Sequence, residues 1–174
     1  MRALARIGAG FAALAIASGA TYAAGYRVNV SNSLPPGVWR VAHGEPTRGA
    51  IVLVCPPDTT LFQHARAAKY IARGFCPGGL APLLKPVAAV AGDRVAVSAA
   101  GISVNGELVR NTRRYRADLS GRLLPSPADV ESVVPPGHVW LLSSYNRHSF
   151  DSRYFGPLAT SLVRGVARPV YLTD

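Results

Sequence analysis

The chain has 174 residues, 49% of them hydrophobic and 16% charged, which excludes a disordered protein and a coiled coil and suits one domain with a short appendage. The formal net charge of +10 is compatible with a nucleic-acid partner, an anionic lipid surface or simply a basic exterior. Only Lys69 and Lys85 among the 19 basic residues are lysines, so each lysine needs its own explanation.

The N-terminal segment Ile7–Tyr26 has 20 residues without a charge and follows the cations Arg2 and Arg6. Twenty helical residues span about 30 Å, the thickness of the hydrocarbon core of a bilayer. The preceding cations predict a cytoplasmic N-terminus and an exported remainder. Three interpretations stay open: a retained transmembrane anchor, a signal peptide cut after small residues such as Ser18 and Ala20, or a buried helix.

This segment predicts a division of the chain into a cytoplasmic tip with an anchor or signal segment, residues 1–26, and an exported domain, residues 27–174. The domain contains two cysteines, Cys55 and Cys76. In an oxidising compartment an even number of cysteines favours a disulfide, which would stabilise the fold by about 3 kcal/mol. Two unpaired buried thiols are the alternative. The cysteine spacing and the four scattered histidines match no zinc motif, so we expect no metal.

Short apolar, β-branched runs bounded by proline and glycine predict that the exported part is mostly β. The dipeptide Asn105–Gly106 between two such runs predicts a tight hairpin. The predicted strands are Arg27–Val30, Val38–Ala42, Ala50–Val54, Leu83–Val90, Arg94–Ser98, Ile102–Val104, Leu108–Arg110, Val139–Leu142 and Val163–Leu172.

One helix is predicted at Thr60–Arg73, inserted between the apolar runs that end at Val54 and begin at Leu83. Arg66, Lys69 and Arg73 would share one face of it at helical spacing. A basic face of this kind is usually exposed to water, so Lys69 has a structural explanation.

Ser33 lies in Ser31–Gly37, a segment of the residue types that turns use. A structural loop explains this composition, but two features favour a functional loop. Ser33 precedes Leu34-Pro35, where the proline restricts the preceding backbone. It also follows Tyr26 by seven residues, which reach at most about 25 Å, so it is tethered near the membrane surface.

Lys85 lies in the apolar run Ala81–Val90, with no acidic residue within seven positions on either side. Burial lowers the pKa of a lysine, so that the neutral amine becomes accessible near pH 7. A neutral amine can take the proton of a serine hydroxyl and activate the serine as a nucleophile. The alternative is an edge-strand lysine whose ammonium group extends into water.

A third segment, Pro135–Gly156, begins as a strand and continues as a loop dense in serine, asparagine, aspartate and arginine. This density suits a hydrogen-bonded scaffold around a site. Asp151 and Arg153 within it could equally form a pair that stabilises only their own loop.

Taken in this order, the segments resemble those of bacterial type I signal peptidases. Ser33-Leu34-Pro35 resembles the nucleophile box, and Lys85 with Val90–Val95 resembles the general-base box. Val104–Gly106 resembles the hairpin that follows, and Ser149–Gly156 resembles the last box. The resemblance covers most of residues 27–172. It implies a mostly β, signal-peptidase-like domain with one inserted helix, preceded by an N-terminal transmembrane helix.

Several departures from the housekeeping enzymes resemble the conjugative-transfer, TraF-type branch instead. They are Pro86 after Lys85, Ser143–Asn146 at the start of the last box, and the form Ser-x-Pro-x-Gly-x-Trp from Ser33 to Trp39. This branch implies a membrane-anchored serine endopeptidase that processes a secreted or pilin precursor at a membrane-proximal site with small residues. Hydrolysis and cyclisation of the pilin by its own terminal amine both stay open.

The resemblance also implies roles for individual residues and a location. Ser33 would be the nucleophile and Lys85 its base, with no metal or cofactor. The expected supporting residues are Ser31 as an oxyanion donor, Ser149 as the residue that orients the lysine, and Asp151 and Arg153 as an ion pair. The expected partners are the precursor or pilin and inner-membrane lipids, without specific nucleic acid. The enzyme would be a single-pass protein of the bacterial inner membrane with its catalytic domain in the periplasm.

Two other classes compete with this interpretation. A self-cleaving Ser-Lys repressor would need a DNA-binding helical domain and a cytosolic N-terminus, neither of which Ile7–Tyr26 supplies. A non-catalytic periplasmic β domain of a secretion apparatus would use a basic surface towards lipid or DNA. The residues that motivate this second class are Arg110, Arg113, Arg114 and Arg116.

Overall fold

The computed structural model describes residues 19–125 and 131–173, which are mostly β. In chain order the strands are β1 (Tyr26–Asn29), β2 (Gly37–Ala42), β3 (Ile51–Val54), β4 (Arg73–Cys76), β5 (Leu83–Val90), β6 (Arg94–Ser98), β7 (Gly101–Val104), β8 (Glu107–Leu108), β9 (Glu131–Val133), β10 (His138–Leu141), β11 (Leu158–Ala159) and β12 (Val163–Leu172). After β1 the helices are α1 (Thr60–Ala67) and the single turn α2 (Ser152–Phe155), with short 3₁₀ turns at Pro77–Gly79 and Thr160–Leu162.

The described strands other than β4 form two antiparallel sheets. The larger has seven strands in the order β1-β2-β12-β3-β5-β10-β11, and the smaller has four in the order β8-β7-β6-β9. The long strand β12 pairs with β2 on one side and β3 on the other, so the last strand of the chain lies inside the larger sheet. The mostly β class predicted from the apolar runs is therefore confirmed.

The predicted hairpin at Asn105–Gly106 is confirmed as the connection between β7 and β8. Val104 pairs with Glu107, and the two turn residues have φ angles of 52° and 88°. Positive φ at both central positions is the geometry that Asn-Gly accepts with least strain. Local sequence is enough to define this turn.

The inserted helix is shorter than predicted, because α1 ends at Ala67 rather than at Arg73. Lys69 has a φ angle of 65°, in the left-handed region, and the chain then turns into β4. Of the predicted basic helix face only Arg66 is therefore helical. Arg66, Lys69 and Arg73 nevertheless line one cavity at the surface.

The buried apolar residues form three clusters. One lies between α1 and the larger sheet around Val52, Phe62 and Leu141, and a second joins the smaller sheet to Trp140. The third is small and includes Leu34, which belongs to the loop between β1 and β2. This third cluster matters for function because it holds that loop against the sheet.

Residues 7–18 of the predicted membrane segment lie outside the described residues, and residues 19–23 are helical. Within residues 19–125 and 131–173, no helix has the length and apolar character needed to cross a bilayer. The transmembrane anchor therefore stays a prediction.

Candidate active site

Lys85 lies in the middle of the larger sheet, on β5, between β3 and β10. It stands opposite Val52 in the register, and only 3% of the lysine is exposed. A lysine at this central position cannot extend its ammonium group past a sheet edge into water. The alternative of a water-exposed edge lysine is therefore excluded.

Ser33 comes near Lys85 through the loop that joins β1 to β2, although β12 and β3 separate those strands from β5. The next residue, Leu34, is buried in one cluster with Leu53 and Leu84. Because Leu84 immediately precedes Lys85, the packing of Leu34 places the loop that carries Ser33 next to the part of β5 that carries the lysine. The apolar residue after the serine thus anchors the loop.

Three side chains meet at this point. Lys85 Nζ lies 2.5 Å from Ser33 Oγ and 2.7 Å from Ser149 Oγ. Ser149 Oγ also lies 3.3 Å from Ser33 Oγ. Ser149 is buried and Ser33 half-buried, so the hydroxyl of Ser33 is within reach of a ligand while the lysine is shielded.

Burial lowers the pKa of Lys85 to about 8. The Asp151 carboxylate opposes this shift and the Arg153 guanidinium adds to it, both through space. With such a pKa about a tenth of the lysine is neutral at pH 7. A neutral amine at hydrogen-bond distance from a hydroxyl can accept its proton, which is the chemistry of general-base activation.

Asp151 and Arg153 form a buried ion pair beside these residues. Arg153 Nε and Nη2 donate to the two Asp151 carboxylate oxygens at 2.7 and 2.8 Å. The guanidinium also donates to the main-chain carbonyls of Asn111, Ser143 and Arg147. The pair therefore joins the loop after β10 to the loop after β8, which goes beyond stabilising its own turn.

Ser31 does not contact Lys85 in this geometry. Its hydroxyl donates to Asn29 Oδ1 at 2.7 Å, and its side chain lines the same cavity as Ser33. A serine hydroxyl has one proton, so Ser31 must rotate away from Asn29 before it can donate to an oxyanion. The Ser33 N–H takes part in no backbone–backbone hydrogen bond outside helices and strands in the described part of the chain.

Asn29 and Ser143 are two residues of the site that the sequence reasoning missed. The Asn29 side chain contacts the loop that carries Ser33, and the Ser143 hydroxyl contacts the Ser33 carbonyl. The sequence feature that could have indicated them is their position, at the end of β1 and just after β10. Asn and Ser at strand ends are too common for that signal to be specific.

A cavity of about 320 Å³ opens beside Ser33 and Lys85. Apart from the site residues its walls are largely apolar, and several come from the segment Ala81–Leu84 and from the start of the chain. The apolar lining residues are Val28, Val30, Leu53, Ile71, Ala72, Phe75, Ala81, Pro82, Leu83, Leu84 and Phe150. Such a lining suits apolar side chains of a ligand that presents a carbonyl to Ser33.

Cys55 and Cys76 are joined by a disulfide with a Cα–Cα distance of 5.4 Å. Cys55 follows β3 and Cys76 ends β4, so the bond ties β4 to the larger sheet. Phe75, the neighbour of Cys76, lines the cavity beside Ser33. The disulfide thereby restrains one wall of the candidate site.

A serine hydroxyl beside a buried lysine is the arrangement that a serine hydrolase with a lysine base would need. The family model of signal peptidases, peptidase S26, matches residues 1–172. The chain therefore belongs to the peptidase S26 family of signal peptidases.

Within this family the chain is similar to conjugation proteins. It is 42% identical over 162 residues to the plasmid transfer protein TraF of Escherichia coli, covering 93% of this chain and 90% of that one. It is 43% identical over 150 residues to the conjugal transfer protein TraF of Agrobacterium tumefaciens, covering 84% and 82% of the two chains. A signal peptidase I structure from Enterococcus faecalis matches 72% of this chain and 98% of its own at 18% identity, with a TM-score of 0.40.

Proposed function

We propose that the protein is a membrane-anchored serine endopeptidase that processes a secreted or pilin precursor during conjugative transfer. The observation that carries this proposal is the 2.5 Å contact between Ser33 Oγ and the buried Lys85 Nζ. Family membership supports a peptidase, and the TraF names of its relatives support a role in conjugation.

The proposed reaction begins with neutral Lys85, which takes the hydroxyl proton of Ser33. The Ser33 oxygen attacks the scissile carbonyl, and the negative charge on the tetrahedral oxygen is stabilised by the Ser33 N–H and the rotated Ser31 hydroxyl. Lys85 then protonates the leaving amine, which breaks the peptide bond and leaves an acyl ester on Ser33. A water then gives a proton to Lys85 and attacks the ester carbonyl. Lys85 returns that proton to the departing Ser33 oxygen, which releases the cleaved acid and restores both side chains.

The substrate class follows from the cavity and its location. The cavity of about 320 Å³ beside Ser33 is apolar and suits small side chains next to the cut. An extended segment next to a membrane-inserted region of the precursor would lie there with its scissile carbonyl towards Ser33.

The proposed partner besides the precursor is the inner membrane, with the N-terminal segment as anchor and the domain of residues 27–174 in the periplasm. Val28, Val30 and Phe75 line the cavity and are 74%, 84% and 60% exposed. Exposed apolar side chains grouped in this way favour contact with lipid.

The test of the proposed activity is cleavage of the pilin precursor by purified full-length variants. Ser33→Ala and Lys85→Ala should each abolish processing, while Ser144→Ala and Lys69→Asn serve as matched controls and should keep it. Asparagine suits the left-handed backbone of Lys69. Full processing by either Ser33→Ala or Lys85→Ala would contradict the proposal.

The acyl ester can be resolved by water or by the terminal amine of the same pilin chain. The resemblance to the TraF-type branch motivates the second route. Mass spectrometry of the product separates them, because a linear product is heavier than a cyclic one by one water. A product with the linear mass would exclude cyclisation.

A further inference from the structure

The buried side chain of Ser143 connects the ion pair to the main chain of the nucleophile. Its hydroxyl donates to the Ser33 carbonyl at 2.5 Å across 110 positions of the sequence. Its own main chain is held on both sides, because its N–H donates to Asp151 at 3.0 Å and its carbonyl accepts from Arg153 at 2.9 Å. Asp151 and Arg153 are thus linked to the Ser33 main chain by way of Ser143, whereas the Ser149 hydroxyl lies beside the Ser33 hydroxyl.

Asn29 holds the same loop from the other side. Its Nδ2 lies 3.3, 3.2 and 3.1 Å from the carbonyl oxygens of Ser31, Leu34 and Pro35. Its Oδ1 accepts from the N–H and the hydroxyl of Ser31. Asn29 is buried at the end of β1, which pairs with β2, so it is a rigid support for the loop.

Together the two side chains fix the peptide groups on both sides of the nucleophile. Asn29 holds the carbonyls of Ser31, Leu34 and Pro35, and Ser143 holds that of Ser33. The peptide group between residues 32 and 33 supplies the Ser33 N–H and lies between these fixed groups. Its orientation is therefore set by its neighbours, and with it the direction of the Ser33 N–H.

We propose that Ser143 and Asn29 are positioning residues that hold the Ser33 loop in the geometry needed for acyl transfer. This inference rests on the proposed function, because it concerns the alignment of the same nucleophile. Ser143 is fully buried and lies outside the lining of the cavity, whereas Asn29 is buried at the edge of the cavity. Both side chains hold the main chain around Ser33, so both would act on the rate of the chemical step, and Ser143 would leave substrate binding unchanged.

The first test compares Ser143→Ala with Ser144→Ala in the full-length protein, using steady-state cleavage of the precursor as a function of pH. Ser143→Ala should lower kcat on the high-pH plateau about 10- to 100-fold with KM nearly unchanged. The pH midpoint should not move, since Ser143 makes no contact with Lys85. Ser143→Thr, which keeps the hydroxyl, should recover most of the lost rate, and Ser144→Ala should behave as the wild type.

A second variant, Asn29→Asp, keeps the shape of the side chain and its acceptor oxygen but removes the donor. Its kcat is read on the plateau, where Lys85 is neutral and the added charge no longer changes its protonation. We expect a loss of rate there as well. A wild-type plateau kcat in either Ser143→Ala or Asn29→Asp would overturn the proposal.

Two controls separate positioning from folding and from the proposed function. If cooling well below the melting transition restored the rate of Ser143→Ala, the loss would come from unfolding and the proposal would be wrong. If Ser33→Ala also cleaved the precursor, the proposed function would fail. An inactive Ser33→Ala beside a fully active Ser143→Ala would overturn only the positioning roles.

Discussion

Lys85 Nζ lies 2.5 Å from Ser33 Oγ although the two residues are 52 positions apart. The lysine arrives on the central strand β5, and the serine arrives on a loop anchored by Leu34. Because the lysine is buried, its pKa falls to about 8, which places its titration within the range of an ordinary activity assay.

The first prediction concerns the pH dependence of cleavage. Burial lowers the pKa of Lys85 to about 8. Under the proposed mechanism the neutral amine is the base, so the rate should rise with pH and level off above that value. Between pH 7 and pH 9 the neutral fraction increases about tenfold, and kcat/KM should follow it. A rate that is already constant between pH 5 and pH 7 would contradict this assignment of the base.

The second prediction concerns the cost of burying Lys85. Below pH 8 the lysine is protonated in both states, and burial of the ammonium destabilises the fold. Between about pH 8 and pH 10.4 the unfolded state holds a proton that the folded state lacks, so this destabilisation is lost as the pH rises.

Lys85→Met should therefore be inactive but more stable than the wild type at pH 7, by about 3 kcal/mol. The extra stability of Lys85→Met over the wild type should shrink above pH 8 and be smallest above pH 10.4. Urea unfolding at several pH values measures it. A Lys85→Met protein that is less stable than the wild type at pH 7 would contradict the prediction.

The third prediction compares a buried ion pair with an exposed one. Arg153→Met leaves the buried Asp151 carboxylate without its partner and should lower the free energy of unfolding by about 3–5 kcal/mol. Arg94→Met is the matched control, because Arg94 and its partner Glu131 are 66% and 54% exposed. That change should cost less than about 1 kcal/mol.

A double variant, Asp151→Asn with Arg153→Met, removes both charges and tests whether the unpaired buried carboxylate causes the loss of stability. It should be less destabilised than the sum of the two single changes, because no unpaired charge stays buried. Additive losses would show that the two side chains stabilise the fold independently. Chemical unfolding of the four proteins completes the cycle.

The fourth prediction concerns Asp93, in the turn between β5 and β6. Burial by itself would raise the pKa of Asp93, but donors from Val90, Asn105 and Arg48 outweigh it and hold the pKa below its usual value. These contacts join the two sheets and the loop before β3. Asp93→Asn should therefore destabilise the protein by about 2 kcal/mol at pH 7.

The effect of Asp93→Asn should depend on pH with a defined sign. A carboxylate with a lowered pKa stabilises the fold above its unfolded value, about 4, and the stabilisation is lost as the pH falls through the folded value. The difference in the free energy of unfolding between variant and wild type should therefore disappear at acidic pH. A difference that stays constant from pH 7 to pH 2 would indicate a steric cause.

Local patterns in the sequence were sufficient for much of the fold. Leu83–Val90 is a strand with the predicted bounds, because an apolar run between Pro82 and Gly92 has few alternatives. Val163–Leu172 is also a strand with the bounds predicted for it. The predicted helix, Thr60 to Arg73, is six residues longer than the observed one, which ends at Ala67. The chain leaves the helix there and enters β4, which a disulfide links to the residue after β3.

The candidate site divides in the same way. Ser33 and Lys85 stood out through their local surroundings, whereas Ser149, Asp151 and Arg153 received roles only through the resemblance to the last box of the signal peptidases. Asn29 and Ser143 were not identified, because their contacts are hydrogen bonds to main-chain carbonyls that no side-chain pattern marks.

The sequence by itself determined that Lys85 has no acidic neighbour along the chain and that a serine lies in a proline-bounded loop. Tertiary structure decided that the two meet, because the packing of Leu34 against Leu53 and Leu84 and the hydrogen bonds from Asn29 and Ser143 hold the loop beside Lys85. It also decided the protonation of the lysine. Burial on a central strand lowers its pKa to about 8, against the opposing effect of the Asp151 carboxylate, and burial depends on the whole fold.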